Sequence, residues 1–382
     1  MTNGVTEVPT KGRNEMAGYA CANCPSHKDE DFHAHAASSD GNFECYVVLD
    51  GHGGSHAAVL VQEYMMKRAV EMYNVSKTFS ESDIFTLFTE SADKAASAKD
   101  LSGTTCTCVF MQRDLSTGNI SLHMSWVGDS RGIICQSKKL IMETIDHNLK
   151  NPEEKARVLE ATNNSVMVLT PQIGPNAETP STPPYLDLDG SPPDPPGTNK
   201  RKEKDVELRE GESEDVTTKG GGVYKSIMKG KAPSNQKPDP VDARRGSFIA
   251  QRITSSGEQR GPWCLFSGEN GTSLAVTRSL GDADAARCCI KTPGIKKLTI
   301  KSGDFSRICI CSDGVWDVLS SLQVAKRISG VTSGVTAARK IALITKERRY
   351  NTGAGKDDIT VFVVDVFKPE VPVGCNVGCN VM

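Results

Sequence analysis

The sequence predicts a domain of mixed strands and helices whose two halves are separated by a long insertion. Three observations predict it. Apolar, β-forming runs alternate with a helical pattern between Asp31 and Ala161, the alternation dissolves from about 163 to 245, and it resumes near Phe248. Neither half carries a complete set of the acidic turns described below, so one interrupted domain is expected in preference to two.

The elements follow in order. "FECYVVLD" (43–50) is a buried strand that ends on a carboxylate, and "SHAAVLVQEYMMKRAVEMY" (55–73) places Ala57, Leu60, Val61, Tyr64 and Met65 at helical spacing. "TCTCVFM" (105–111) and "SLHMSWVGD" (121–129) are further strands, in which Cys106 and Cys108 serve as small apolar residues. The insertion, rich in proline clusters, mixed charge and a triple glycine, cannot bury enough apolar area to offset its ordering entropy and is expected to be disordered. Beyond it come "SLAVTRSLGD" (273–282), the strand and turn of "RICICSDGVWDVLSS" (307–321), a helix around "SGVTAARKIALITKERR" (333–349) and the strand "DITVFVVDVF" (358–367).

Composition excludes several classes of function. Lys plus Arg number 45 against 47 Asp plus Glu, for a net charge of -2, so no global basic field exists to attract nucleic acid. Thirteen cysteines, an odd number, without a secretory leader pattern, point to a reducing compartment and no structural disulfides. Cys21 and Cys24 form a single CxxC pair, short of the four ligands a zinc site uses. No apolar run approaches 20 residues, so no spanning helix is expected.

Carboxylates recur at strand ends: Glu30 and Asp31, Asp50, Asp129, Asp313 with Asp317, and Asp357 with Asp358. Carboxylates that converge on one end of a sheet repel one another unless a cation lies among them. An all-oxygen set of this kind suits Mg²⁺ or Mn²⁺. The glycines beside Asp50 let the Gly51 carbonyl turn inward as a further oxygen ligand.

The ordered motifs DGHGG, SGTT, GDSR, LAVTRSLGD, SDGVWD and KDDITV resemble the metal-dependent serine/threonine protein phosphatases of the 2C type, from about Gly18 to Phe367 apart from the insertion. The resemblance implies an α+β fold: a four-layer α-β-β-α sandwich of two antiparallel sheets with helices outside, and a binuclear Mg²⁺/Mn²⁺ centre at one end. It implies a catalytic domain over 18–367 and direct attack of a metal-bridging water on phosphoserine or phosphothreonine. By the same resemblance Asp50 bridges the two metals and the Gly51 carbonyl binds one. Asp313 and Asp357 hold the other, Glu30 and Asp31 orient metal-bound water, Asp129 and Asp317 recruit a weaker third ion, and His52 is the general acid.

One position departs from that pattern. The family's phosphate-gripping arginine stands five residues before the motif's Asp, and Ser26 occupies that place here, leaving Lys28 as the nearest candidate cation. The departure and the insertion keep open a second class, a non-catalytic binding module on the same scaffold. Phosphorylated proteins are the expected partners of a monomer. Arg244-Arg245-Gly246-Ser247-Phe248 resembles a target of cyclic-nucleotide-dependent kinases, modified at Ser247. The flexible tail 368–382 ends Cys379-Asn380-Val381-Met382, a prenylation pattern, with Cys375 available for a second acyl chain. The expected location is cytoplasmic, peripheral on a membrane face.

Overall fold

The computed structural model describes residues 11–13, 16–98, 100–162, 166–171, 214–217, 223–229, 248–252, 262–266, 273–285, 288–354 and 356–366. Ser247, Cys375 and Cys379 lie outside the described residues, and with them the kinase-target and lipidation readings. In chain order the elements are β1 (Lys11–Arg13), β2 (Ala17–Cys24), β3 (Asp31–Ala37), β4 (Phe43–His52), α1 (His56–Ser76), α2 (Glu81–Ala95), β5 (Gly103–Thr104), β6 (Cys106–Arg113), β7 (Ile120–Val127), β8 (Arg131–Gln136) and β9 (Lys139–Glu143). They continue as α3 (Pro152–Ala161), β10 (Val166–Pro171), β11 (Glu214–Thr217), β12 (Val223–Lys229), β13 (Phe248–Arg252), β14 (Cys264–Phe266) and β15 (Ser273–Leu274). The last group is β16 (Leu280–Gly281), β17 (Gly294–Ile300), β18 (Ser306–Cys311), α4 (Asp313–Trp316), α5 (Ser321–Ile328), α6 (Gly334–Thr352) and β19 (Ile359–Val366).

Two compact units result. The first comprises Met1–Asp146, Arg278–Gly281 and Lys291–Met382, and the second His147–Thr277 with Asp282–Ile290. The second unit is one sheet in the order β11-β12-β10-β13-β14-β15, with α3 beside it in sequence. In it β10 pairs antiparallel with β12 and parallel with β13. Three of its strands, β10, β11 and β12, fall within the span 163–245, whose other residues lie outside the described ones.

The first unit holds the two sheets expected from the motifs. One runs β1-β2-β19-β18-β8-β9, the other β16-β5-β4-β6-β7-β17 with β3 added against β4. Strands β4, β18 and β19 are central and buried on both faces, so their sequences read as nearly continuous apolar runs instead of alternating. Tyr46, Val48, Met124, Ile310 and Phe362 fill the space between the sheets. Outside the second sheet, α1 and α2 bury Val61, Met65, Leu87 and Phe88 against Val47 and Cys108. Outside the first, α5 and α6 bury Val324, Ile328, Ile341 and Ala342 against Cys309 and Val363. That is the α-β-β-α sandwich.

Local chemistry sets the helix limits. The α2 start carries a capping box between Ser80 and Asp83, and α5 carries one between Ser320 and Gln323. Helix α6 stops where Gly353 turns left-handed at φ 66°. The eleven described cysteines are free thiols, all buried but Cys264. Burial pushes Cys45 up to about 12 and Cys135 up to about 11, and raises Cys108 and Cys311 well above the usual thiol range. Among the described residues no helix is long and apolar enough to cross a membrane.

Arg307 on β18 is buried and donates Nε and Nη2 to the two carboxylate oxygens of Asp365 on β19, at 2.6 and 2.8 Å. Its Nη1 donates to the carbonyls of Ile328 and Val331, tying the end of α5 to the sheet. Removing one partner leaves the other charge buried without compensation, at a cost of about 3–5 kcal/mol. Asp365→Ala is therefore expected to lower the urea-unfolding free energy by that amount, whereas Arg307→Met with Asp365→Leu should recover most of it.

Candidate metal centre

One end of the first unit gathers the strand-end carboxylates. Asp31 opens β3 directly across from Asp50 near the end of β4, and the Gly51 N–H donates to the Glu30 carbonyl at 2.9 Å. The Glu30 side chain then accepts from the Gly54 N–H at 2.9 Å, so the 26–31 loop and the DGHGG turn are fastened together. A Cβ at Gly51 would lie 2.9 Å from the Glu30 carbonyl oxygen, which is why the turn needs glycine there.

Thr105 of the SGTT turn is the joint between two acidic turns. Its N–H donates to the Asp50 carbonyl at 2.9 Å, and its hydroxyl accepts from the Asp50 N–H and contacts Ser130 Oγ at 2.7 Å. Gly128, at φ 90°, packs so tightly on Thr105 that an added Cβ would lie 2.6 Å from its methyl, and Asp129 follows directly.

Asp313 starts α4 and Asp317 follows it by one turn, so both project from one face. Oxygens of Asp313, Asp317 and Asp357 lie within 4.8 Å of one another. Asp357 and Asp358, adjacent in sequence, do different work. Asp357 faces the cluster, whereas the buried Asp358 accepts N–H bonds from Ser26 and, at 2.8 Å, from Glu30. Burial alone would raise Asp358, and those donors with the Lys28 charge hold it below the usual carboxylate range.

Arg349, which no sequence motif marks, is buried at the end of α6 and donates Nη1 to the Gly314 carbonyl and to Asp317 at 2.9 and 3.1 Å. Its Nη2 lies 3.5 Å from Asp357. Lys28 reaches the other Asp357 oxygen at 2.8 Å, and the Ser26 hydroxyl accepts the Lys28 N–H at 3.1 Å. Burial acts to lower the Lys28 ammonium, but Asp357, Asp313 and Asp50 together raise it. His52 closes β4 opposite Gly103 and is half-buried.

A protein phosphatase 2C family model matches residues 16–168 and 250–356, on both flanks of the insertion, and takes in the turns of Glu30–Asp31, Asp50, Asp129 and Asp313 and stops just before Asp357. The chain belongs to the protein phosphatase 2C family. Similar proteins include probable protein phosphatase 2C 5 of Arabidopsis thaliana, 35% identical over 123 residues, covering 30% of this chain and 27% of that one. Probable protein phosphatase 2C 69 of Oryza sativa subsp. japonica is 35% identical over 150 residues, 39% of this chain and 33% of its own. The matches therefore span about a third or less of those relatives' length. Among solved structures, a serine-threonine phosphatase 2C from Toxoplasma gondii superposes with a TM-score of 0.58 at 13% identity, over 94% of this chain and 98% of that one, which shows the shared fold.

The cluster is electrostatically unbalanced as a set of carboxylates alone. Burial, then the charges of Asp31, Asp313, Asp129 and Asp357, raise Asp50 well above the usual carboxylate range. Burial and the neighbouring Asp313 and Asp146 push Asp129 up to about 8. Burial raises Asp31 to about 8 despite the nearby Ser312 and Thr360 hydroxyls, and both its oxygens are buried without a well-formed hydrogen bond. Burial with Asp357 and Asp317 brings Asp313 to about 6. A divalent cation fits this donor set: it would partner the orphaned Asp31 oxygens or their water and relieve the repulsion.

A carboxyl held above its unfolded pKa contributes stability at low pH that is lost as pH rises through the folded value. In chelator, the melting temperature should fall between about pH 5 and pH 8. Added Mn²⁺ should offset that loss more at the upper end of the window than at the lower. A melting temperature in EDTA that holds level or rises across the window would contradict this electrostatic reading.

Proposed function

We propose that residues 18–367 form the catalytic domain of a Mg²⁺- or Mn²⁺-dependent phosphatase that hydrolyses phosphoserine and phosphothreonine in proteins by direct attack of water. The observation that carries the reading is the convergence of Asp31, Asp50, Asp129, Asp313 and Asp357, each from a different strand end or turn, with protonation of four of them favoured by burial and mutual repulsion. All-oxygen donors favour Mg²⁺ or Mn²⁺ over zinc.

When bound, two such ions supply an acidified water as nucleophile and neutralise phosphoryl oxygens. Asp50 and the Gly51 carbonyl would hold them from the β4 side, Asp313 and Asp357 from the α4 and β19 side, with Glu30 and Asp31 orienting water and Asp129 and Asp317 serving a weaker third ion. His52, at the end of the same strand as Asp50, donates the proton that the departing serine or threonine alkoxide needs, a contribution of about 10²–10⁴ in rate. Lys28, already at the rim beside Asp357, supplies the positive charge nearest the incoming phosphate. Its ammonium lacks the two-pronged geometry of a guanidinium.

The alternative of a non-catalytic module rests on Ser26 and on the long insertion, and the complete carboxylate set weighs against it. The tail sequence supports attachment to a cytoplasmic membrane face through Cys379 and Cys375.

Turnover of a phosphopeptide should vanish in EDTA and return with Mn²⁺. Asp50→Asn and Asp313→Asn should each fall to background, and full activity in either would remove the assignment. His52→Ala should lower kcat by about 10²–10⁴ while Mn²⁺ binding measured by calorimetry stays at the wild-type level.

Restoring an arginine where the pattern expects one tests the phosphate site separately. One charge-assisted hydrogen bond is worth about 1.5 kcal/mol or more, so Ser26→Arg should lower KM for a phosphopeptide by about tenfold with kcat little changed.

A further inference from the structure

The acidic centre occupies one end of the first unit, and the opposite end has a contrasting chemistry. Gln136, Ser306 and Val366 are register partners across β8, β18 and β19, so the β8–β9 hairpin, the β17–β18 loop and the exit of β19 lie side by side. The end of α5 joins them, because Arg307 on β18 donates to the Ile328 and Val331 carbonyls. The first half of α6 adjoins it, with Lys340 Nζ 3.5 Å from the Arg327 carbonyl. The β6–β7 turn completes the surface through Ser302 N–H donating to Asn119 Oδ1 at 2.9 Å.

This end gathers Lys138, Lys139, Lys301, Lys326, Arg327 and Lys340, all exposed except Arg327, which is half-buried. The acids on the same loops are Asp304, which accepts from Gln136, and Asp114, which is bonded by Ser116 and Thr117. Two apolar side chains project among them, Phe305 at 44% and Leu115 at 77% exposure. The chain leaves this surface after Val366, and Cys379 stands thirteen positions further on. Fully extended, that stretch reaches about 45 Å.

We propose that this end of the first unit docks on an anionic lipid bilayer, with Phe305 and Leu115 entering the headgroup region and the surrounding lysines facing acidic lipids. The inference rests on the membrane location proposed above and supplies what that location lacks, because a single prenyl chain binds only marginally and reversibly. The exposed cations are mostly lysines on flexible stems, suited to a diffuse sheet of charge, whereas Arg307 and Arg327 are engaged with carbonyls. The surface is built of loops and helix ends drawn from five separate connections. With this end on the bilayer, the eight residues of β19 hold the acidic centre roughly 25 Å away.

The test uses full-length protein made in bacteria, and therefore without a lipid chain, sedimented with vesicles of phosphatidylcholine alone or with phosphatidylserine added. Each lysine near an anionic leaflet raises partitioning by about fivefold. The expected result is binding to the phosphatidylserine vesicles alone, lost at high salt. The pair Lys138→Glu and Lys139→Glu should weaken that binding by at least about 25-fold. Phe305→Ser should weaken it without changing its salt dependence. None of these residues belongs to the catalytic machinery, so Mn²⁺-dependent turnover of a soluble phosphopeptide should be unchanged in all the variants. Loss of turnover in the wild type would overturn the phosphatase reading and leave the vesicle result standing. Absence of sedimentation, equal binding to neutral vesicles, full binding by the charge-reversed pair, or displacement from vesicles by a soluble phosphopeptide bound at Lys138 and Lys139 would each overturn the docking surface.

Discussion

Repulsion among carboxylates held at fixed positions is the interaction on which the rest of the molecule depends. Asp50 and Asp31 are locked opposite one another by β3–β4 pairing, and Asp313, Asp317 and Asp357 lie within a few ångströms on the neighbouring sheet's end. None can withdraw without unmaking a strand or a helix start. The surrounding structure is accordingly a set of restraints on an arrangement that would otherwise spread apart. Thr105 joins the Asp50 strand to the Asp129 turn, Asp358 staples the Glu30 loop to β19, and Arg349 spans Gly314, Asp317 and Asp357.

Close backbone approach does part of the same work. A Cβ on Gly314 would stand 1.9 Å from the Asp358 carbonyl, so the Asp313 turn and the Asp357–Asp358 segment are in contact through their main chains. Positions set by backbone contact and by antiparallel register vary less than positions set by long side chains. Preorganised ligand placement of this kind is what a reaction relying on bound cations requires.

The sandwich and the acidic residues were legible because each leaves a local trace. Central strands buried on both faces read as continuous apolar runs, and a carboxylate at the end of such a run, followed by glycine, is conspicuous at Asp50 and Asp313. Arg349 left no trace. It lies in the basic run "KERR" at the end of an amphipathic helix, and only the packing of α6 decides which of those side chains turns inward. The different duties of Asp357 and Asp358 were hidden for a similar reason, since neighbouring residues in an irregular segment can face opposite ways. Strands β10 and β12 do carry apolar residues, Val166 to Leu169 in the one and Val223, Tyr224, Ile227 and Met228 in the other, but the proline clusters and charge that dominate the whole span hid them, and β11 has Val216 alone.

The thiols have a consequence for how the protein fails. The sulfurs of Cys106 and Cys108 lie 3.4 Å apart in one core and those of Cys309 and Cys311 3.5 Å apart in another, all four closed off from solvent, and burial raises Cys108 and Cys311 well above the usual thiol range. The native fold thus shields these four thiols from oxidants. That shielding is collective and ends all at once. While the chains stay unfolded, both cores expose cysteines of ordinary reactivity, and cross-links between chains then compete with refolding. In air the loss of structure becomes a one-way step, timed by the rate at which the sandwich first opens.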